Sequence, residues 1–211
     1  PSYGVVRVPE RTRVAPVVLL AVLLVALLSG CGGQDAAPEE PPRSTSSASA
    51  TAAAPTSPAT ERAAAPPRRV TIPTLGLDEE LVDLGIDDAS GELEVPEDPA
   101  RVGWFTGGGK PGETWPVVIA GHKDSRTGPA VFARLTELQV GQQVSVVDTR
   151  NQRRTYEITE VRDVPQDGRF PTDDVYGETG DSQLRLITCT GPYDRGVGRY
   201  TENRVVFAEE V

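Results

Sequence analysis

One stretch of the chain cannot contribute to a folded core. Residues 34–69 consist almost entirely of Ala, Pro, Ser, Thr and a few charged residues, and they contain no aromatic and no large aliphatic side chain. Such a segment buries too little apolar surface to offset the conformational entropy lost on folding. Seven prolines among these 36 residues favour an extended chain. We therefore predict a disordered linker over residues 32–69 and a single folded domain over residues 70–211.

An apolar run precedes the linker. Three arginines lie within the first thirteen residues, and apolar residues continue without interruption from 14 to 28. A run of about 15 residues is short for a membrane span and typical of a signal-peptide core. It ends in Leu-Ser-Gly-Cys31, which resembles a bacterial lipobox, where cleavage before the cysteine is followed by lipid attachment. Residues 1–31 are thus predicted to be a signal peptide with a lipid anchor at Cys31, or an uncleaved membrane anchor. Both place the domain at the extracytoplasmic face of the membrane.

Composition excludes several classes of function. The net charge is −10, and residues 1–69 hold 7 Arg against 5 acidic residues, so the remaining 14 basic and 26 acidic residues carry the excess. This charge repels phosphate backbones and argues against nucleic-acid binding. One His and two Cys are too few for a structural zinc site. The acidic clusters at residues 78–80, 87–88 and 173–174 lack the ligand spacing of calcium loops, so we predict solvated loops, no metal and no cofactor.

Short β-branched segments bounded by Gly, Pro, Asn or Asp recur along the predicted domain. Brief helical turns are predicted at residues 129–135 and near residues 172–176, and no long amphipathic helix is evident. This pattern indicates an all-β fold, either a barrel or a sandwich. The predicted strands cover residues 69–72, 117–120, 143–147, 154–161, 183–188 and 204–208.

His122 and Cys189 are the candidate catalytic residues. Each follows an apolar predicted strand, so both are expected at strand-to-loop junctions, where a rigid sheet positions side chains that remain open to substrate. If Cys31 is lipidated or removed, Cys189 has no partner for a disulfide, and an unpaired exported cysteine together with a histidine is the pattern of a nucleophile. An adjacent imidazolium stabilises the reactive thiolate. The alternative is a buried cysteine that packs as a small apolar residue.

Three sequence motifs surround these residues. They are Thr-Cys189-Thr-Gly, the upstream Ala-Gly-His122-Lys-Asp-Ser, and the closing strand Asn203-Arg-Val-Val-Phe-Ala. Together they resemble the sortase family over residues 70–211. The sequence Gly-His-x-Asp-Ser followed by Gly-Pro-Ala-Val-Phe132, and Tyr-x-x-Asn before the last strand, are most similar to the actinobacterial class F sortases.

The resemblance implies a closed eight-stranded β-barrel with short helical turns and the activity of a cysteine transpeptidase. In that scheme Cys189 attacks the Thr carbonyl of an LPXTG-like sorting signal on a surface protein, and His122 protonates the departing amine. An amine of peptidoglycan, or water, then resolves the thioester. Thr188 is expected to assist, and Asp124 either orients His122 or caps its own loop. The enzyme is expected to be a monomer anchored in the membrane of a Gram-positive actinobacterial cell.

One position departs from the family pattern. In most sortases an essential arginine, which supports the oxyanion, lies five residues before an alanine that corresponds here to Ala208, and that position is Asn203. Alternation along a strand puts Asn203 on one face and Arg204 on the other, so Arg204 reaches the site only through a bulge. Arg199 keeps the parity of Asn203 but is predicted in or near a loop. Arg199 and Arg204 are therefore equal candidates, with Arg195 behind both and Asn203 as a neutral donor.

Two other functions remain open from the residues alone. The first is a non-catalytic lipoprotein that binds cell-wall glycans or peptides, with Cys189 buried. The second is another wall-directed cysteine enzyme, although an L,D-transpeptidase has a Ser-His or Ser-Thr pair before Gly-Cys and a papain-like hydrolase has its Cys before its His. Alkylation by iodoacetamide separates the first from an enzyme, because a buried thiol stays unlabelled in the native protein. The residues do not distinguish hydrolysis from transfer.

Overall fold

The computed structural model describes residues 3–5, 63–167 and 169–211. Apart from residues 3–5, the predicted signal segment with Cys31 lies outside these residues, as does most of the predicted linker. Within the described part, no helix is both long and apolar enough to cross a membrane. The first strand of the barrel begins at Pro67, inside the segment that was predicted to be linker.

The described residues form mainly strands, with one short α-helix, α1 (Thr172–Tyr176), and 3₁₀ turns at Pro73–Leu75 and Leu135–Glu137. β1 pairs with β4, and β7 pairs with β8. The strands are β1 (Tyr3–Val5), β2 (Pro67–Ile72), β3 (Leu77–Leu84), β4 (Glu92–Leu93), β5 (Val102–Phe105), β6 (Val117–Gly121), β7 (Asp124–Ser125), β8 (Gly128–Pro129), β9 (Gln143–Asp148), β10 (Arg153–Pro165), β11 (Gln183–Asp194) and β12 (Arg199–Glu210).

Eight of these strands close into a barrel in the order β10-β12-β11-β6-β5-β3-β2-β9. The expected all-β fold with a closed eight-stranded barrel is therefore confirmed, and the sandwich is not adopted. Closure leaves no unpaired sheet edge along the barrel wall. Within the barrel, β6 is parallel to its neighbour β11, and β3 is parallel to its neighbour β5. All other neighbouring strands of the barrel are antiparallel.

The strands β6 and β11 are buried on both faces. Their alternate residues, such as Ile119 and Leu186, fill the barrel interior. The residues between them, such as Ala120 and Ile187, pack outside the barrel under a second apolar layer that includes Phe170 of the loop before α1. Burial on both faces is the usual situation of parallel strands and accounts for their nearly continuous apolar sequences. A polar side chain on the outer face of these strands is consequently shielded from bulk water.

The sequence patterns located some elements and missed others. The predicted turn near residues 172–176 is α1, whereas the other predicted turn forms at Leu135–Glu137, at the end of the predicted range. Strands β3 and β5 were not predicted. The prediction of a solvated loop at residues 78–80 is wrong, because these residues belong to β3. Cross-strand ion pairs to the Arg69 guanidinium, at 3.0 and 3.1 Å, accommodate their charges on the barrel surface.

The packing of the barrel interior predicts that a Val→Ala substitution destabilises the protein to different extents at two nearby valines. Val144 in β9 is completely buried and Val140, just before it, is 64% exposed. Val144→Ala should lower the free energy of unfolding by roughly 2 kcal/mol, because it removes two methyl groups and leaves a cavity. Val140→Ala should change it by less than about 0.5 kcal/mol. Thermal or urea denaturation measures both, and equal effects would contradict the assignment of Val144 to the core.

Candidate active site

The register of the parallel pair β6–β11 brings His122 beside Cys189. Ala120 lies opposite Ile187 in this pair, and His122 and Cys189 each follow two residues later. Side chains two residues apart along a strand share a face, so both project on the outer face of the sheet. Both residues line the same groove. The two side chains that the sequence singled out are thus brought together.

Cys189 does not lie at the end of its strand, contrary to expectation. β11 continues to Asp194 as one arm of a long hairpin with β12, and the pairing of the two strands only shifts in register between Thr190 and Tyr193. The glycine at this shift, Gly191, has a φ of 72°. β6, by contrast, ends at Gly121. Cys189 lines the groove next to the end of β6, although its own strand continues and the residue is only slightly exposed.

Thr188 joins the two strands at this point. Its side chain is completely buried, and its hydroxyl donates to the carbonyl oxygen of Gly121 at 2.9 Å. This bond fixes the end of β6 one residue before His122. Since Thr188 points away from the face that carries Cys189, its contact is with the strand that holds the histidine.

The His122 ring is buried, with 8% exposure, and its Nε2 lies 2.8 Å from the carbonyl oxygen of Pro96. A carbonyl oxygen only accepts, so Nε2 carries a hydrogen and, in the neutral ring, Nδ1 carries the lone pair. The backbone N–H of Phe132 donates to the His122 carbonyl at 2.8 Å. The ring is therefore held in one tautomer with its basic nitrogen free to accept a proton.

Asp124 is engaged with a different partner from the one considered in the sequence. Its carboxylate accepts a hydrogen bond from the Tyr200 hydroxyl, and this bond raises the pKa of Tyr200 to about 12. The Lys123 ammonium lies 4.5 Å from the centre of the Tyr200 ring. The structure thus places Asp124 as a link between the loop after His122 and β12, while the Pro96 carbonyl occupies a nitrogen of the imidazole.

The Cys189 thiol is shielded from solvent, with 8% exposure. Burial raises the pKa of this thiol to about 11, and a hydrogen bond from Gln166 Nε2 to Sγ, at 3.7 Å, acts in the opposite direction. The carboxylate of Asp124 also raises this pKa, because it disfavours a second negative charge nearby. The thiol is consequently neutral at physiological pH, and its activation requires proton transfer to a base in the groove.

Arg204 lies on the opposite face of the sheet from Cys189. Cys189 pairs with Asn203 and Thr188 pairs with Arg204, in a register that is unbroken over these residues. The Arg204 guanidinium binds both carboxylate oxygens of Asp163 at 2.7 Å. The bulge that would bring Arg204 to the groove is therefore not present in the pairing of β11 with β12.

Arg199 lines the groove together with His122 and Cys189. It begins β12, and its Nη1 lies 3.1 Å from Oε1 of Glu92, a carboxylate that is only 5% exposed. Arg195 is exposed in the turn between β11 and β12. Of the three arginines, only Arg199 lines the groove, and it lies opposite Asp194 rather than opposite Cys189 in the β11–β12 pair.

The groove has a volume of about 1350 Å³ and is open to solvent. Its walls combine apolar side chains with charged groups, so it suits an extended peptide rather than a small apolar ligand. Among the residues that the structure describes, no cluster of His, Cys, Asp or Glu could hold a metal ion. The representative lining residues are Leu75, Val95, Pro96, Val131, Arg199 and Tyr200.

Sequence reasoning missed two contributors to this site. Gln166 follows β10 within a Pro-Gln-Asp-Gly segment that reads as an ordinary turn, yet its side chain is buried against Cys189. Pro96 lies in a loop 26 positions before His122, and its role depends on a carbonyl group that every residue has. Neither carries a local sequence signal, because both act through contacts between distant segments.

Comparison with known proteins agrees with this geometry. A family model described as a sortase domain matches residues 70–211. This chain belongs to the sortase family. The search against curated proteins gave no match.

Solved sortase structures resemble this one over the barrel. Sortase C1 of Streptococcus agalactiae is 24% identical with a TM-score of 0.51, covering 68% of this chain and 66% of that one. Sortase C-1 of Actinomyces oris is 25% identical with a TM-score of 0.51, covering 68% and 72%. Sortase A of Corynebacterium diphtheriae is 21% identical with a TM-score of 0.52, covering 71% and 63%. This sortase therefore spans about two thirds of the length of these structures.

The positions of the arginines predict distinct effects of their removal. Arg199→Ala should lower kcat/KM for a cleaved peptide by about 10²-fold, because the groove loses a planar charged donor on the surface that carries Cys189. Arg204→Ala should leave kcat/KM within about threefold and reduce thermal stability instead. Arg199→Lys keeps a positive charge beside Glu92 but lacks the planar guanidinium. If this variant folds normally and is still impaired, the loss of activity comes from the missing planar donor and not from misfolding. The opposite order of effects at Arg199 and Arg204 would show that β12 shifts its register during catalysis.

Proposed function

We propose that this sortase is a cysteine transpeptidase that cuts an LPXTG-like sorting signal and transfers the acyl group to an amine. The observation that carries the proposal is the placement of His122 and Cys189 on one face of adjacent parallel strands, within one groove. A thiol and an imidazole that share a groove form the minimal pair for acyl transfer through a thioester. An alternative role as a non-catalytic lipoprotein leaves this convergence without a purpose.

The chemistry proceeds in two acyl transfers. Cys189 gives its proton to His122, and the sulfur attacks the Thr carbonyl carbon of the sorting signal. The tetrahedral intermediate collapses as the C–N bond breaks and the imidazolium returns the proton to the departing amine, which leaves a thioester on Cys189. An incoming amine of peptidoglycan, or water, then attacks the thioester. It loses its proton through His122 as the thiol is regenerated.

Burial of the thiol suits this sequence of events. At neutral pH the resting Cys189 is protonated, because its shielded position raises the pKa of the thiol to about 11. Proton transfer to His122 creates a thiolate–imidazolium pair whose charges stabilise each other in the groove. A protonated resting thiol also resists adventitious oxidation outside the cell, since the thiolate is the reactive form.

The side chains that line the groove support an LPXTG-like peptide as the substrate. Leu75, Val95 and Val131 provide apolar contacts of the kind that a Leu-Pro pair requires, and Arg199 lies on the same surface as Cys189. Arg199 can donate to the oxyanion of the tetrahedral intermediate or to a neighbouring peptide carbonyl. We assign the chain to the class F group on its Gly-His-x-Asp-Ser and Tyr-x-x-Asn motifs. The enzyme is proposed to act as a monomer on a surface protein of an actinobacterial cell.

Removal of either member of the pair tests the proposal. Cys189→Ala should abolish cleavage of fluorogenic LPXTG-type peptides, and His122→Ala should reduce it by at least about 10²–10⁴-fold. Thermal stability should change little in either variant. Cys31→Ala serves as the matched cysteine control and should retain full turnover on soluble peptides. Near-normal turnover in Cys189→Ser or His122→Ala would refute the mechanism, and assays with and without an added amine separate transfer from hydrolysis.

The location of the enzyme is a separate proposal. The Leu-Ser-Gly-Cys31 motif supports a lipid anchor at the extracytoplasmic face, joined to the domain by the extended linker. Mass spectrometry of the membrane fraction should detect a mature N-terminus at Cys31 that carries acyl chains, and Cys31→Ser should lack them. A membrane-bound protein that retains residues 1–30 would instead demonstrate an uncleaved signal anchor.

A further inference from the structure

Gln166 is buried although it lies in the turn that follows β10. Its side chain is 2% exposed, and its Nε2 has three acceptors within reach. They are the Asn203 Oδ1 at 2.7 Å, the Glu202 carbonyl oxygen at 3.1 Å and the Cys189 Sγ at 3.7 Å. A single amide nitrogen thus contacts the candidate nucleophile and its cross-strand neighbour.

The Glu202 carbonyl fixes the orientation of both amides. A backbone carbonyl only accepts, so the Gln166 atom that faces it must be the NH₂ nitrogen and not the oxygen. The same nitrogen faces the Asn203 side chain, which must therefore present its oxygen. It follows that the Asn203 NH₂ group is turned away from Gln166 and is not used within the pair.

Asn203 consequently holds a donor with no partner. The side chain is completely buried, and its Nδ2 has no hydrogen-bond partner among the described residues. Asn203 is directly opposite Cys189 in the β11–β12 pair, so the two side chains project on the same face. Buried amide donors are almost always satisfied in folded proteins, and an unsatisfied one beside a nucleophile indicates a partner that arrives during the reaction.

We propose that Gln166 is a positioning residue of this active site, which holds the Cys189 sulfur and directs the Asn203 NH₂ group toward the carbonyl oxygen of the bound acyl group. This inference rests on the proposed function. It names Asn203 as a second oxyanion donor, beside Arg199, at the position where most sortases have an arginine. The neutral amide suits a buried position, because a guanidinium there would need a compensating charge.

The contact of Gln166 with Cys189 affects the ionisation of the thiol. An N–H aimed at sulfur favours the charged form of the thiol, so Gln166 works against the effect of burial on its pKa. The other titratable groups around Cys189 are His122, Lys123, Asp124 and Tyr200, and Arg199 lines the same groove. Replacing Gln166 by a residue without an N–H leaves these groups in place. The pKa of the thiol should then rise further.

Alkylation of the full-length protein by iodoacetamide measures this effect without any peptide substrate. The rate at Cys189, followed by peptide mapping so that Cys31 does not contribute, should rise about tenfold per pH unit until the pKa is reached, because only the thiolate reacts. At pH 8, Gln166→Leu should react about three- to tenfold more slowly than the wild type. Gln166→Glu, which places a carboxylate beside the sulfur, should react more slowly still. Gln142→Leu, at a glutamine before β9 that lies outside the groove, should match the wild type.

Kinetics on a cleaved peptide test whether Gln166 orients the Asn203 NH₂ group toward the oxyanion. Gln166→Leu should lower kcat by about 10–100-fold with KM within threefold, since an oxyanion donor acts in the transition state. Asn203→Ala should lower kcat by about 10²-fold. The double variant should lose less than the product of the two single losses, because part of the effect of Gln166 acts through Asn203. Purely structural roles would instead give multiplicative losses and parallel losses of thermal stability.

The results of the alkylation and kinetic experiments distinguish a failure of the role of Gln166 from a failure of the proposed function. An unchanged alkylation profile in Gln166→Leu, or multiplicative effects in the double variant, would overturn the role of Gln166 while the cysteine mechanism stands. A wild-type enzyme that cleaves no LPXTG-type peptide would overturn the proposed function, and the alkylation profiles would still decide whether Gln166 holds the sulfur. If Gln166→Leu fails to fold, Gln166→Glu, which preserves the volume of the side chain, provides the same two measurements.

Discussion

The parallel pairing of β6 with β11 is the interaction on which this active site depends. It is a non-local contact, since residues 122–182 separate the two strands, and it places Ala120 opposite Ile187. From that single register it follows that His122 and Cys189 share a face and an edge. The hydroxyl of Thr188, which donates to the Gly121 carbonyl, strengthens the pair where β6 ends. A one-residue slip would send the thiol into the barrel interior.

Burial of β11 on both faces makes the Cys189 thiol less reactive at rest, and it strengthens the polar interactions that form around this thiol. The outer layer that covers β11 keeps water from Cys189 and holds its thiol in the neutral form. The same low-dielectric surroundings strengthen every hydrogen bond and charge pair that forms there during the reaction. A fixed imidazole tautomer, set by the Pro96 carbonyl, then supplies the base. In the proposed mechanism the thiol is therefore neutral at rest and gives its proton to His122 once a peptide occupies the groove.

The departure at Asn203 shows how a family pattern and a local structure can differ. The strand parity expected from the sequence agrees with the observed register, in which Arg204 faces Asp163 and Asn203 faces the site. Arg199, which binds the buried carboxylate of Glu92, lines the groove together with Lys123 and Arg126. Opposite Cys189, β12 therefore contributes a neutral amide from Asn203, and the guanidinium that β12 contributes to the groove comes from Arg199 at the start of the strand.

The sequence by itself determined the all-β class, the six strands with clear β-branched patterns and the two candidate reactive side chains, because these depend on local alternation and on the scarcity of His and Cys. It did not locate β3, whose acidic residues are explained only by Arg69 on the neighbouring strand. Tertiary structure alone decided which arginine lines the groove, which partner Asp124 binds and how Gln166 meets Cys189. Each of these contacts joins segments far apart in the chain. Their geometry is set by strand register and barrel closure, which no local pattern encodes.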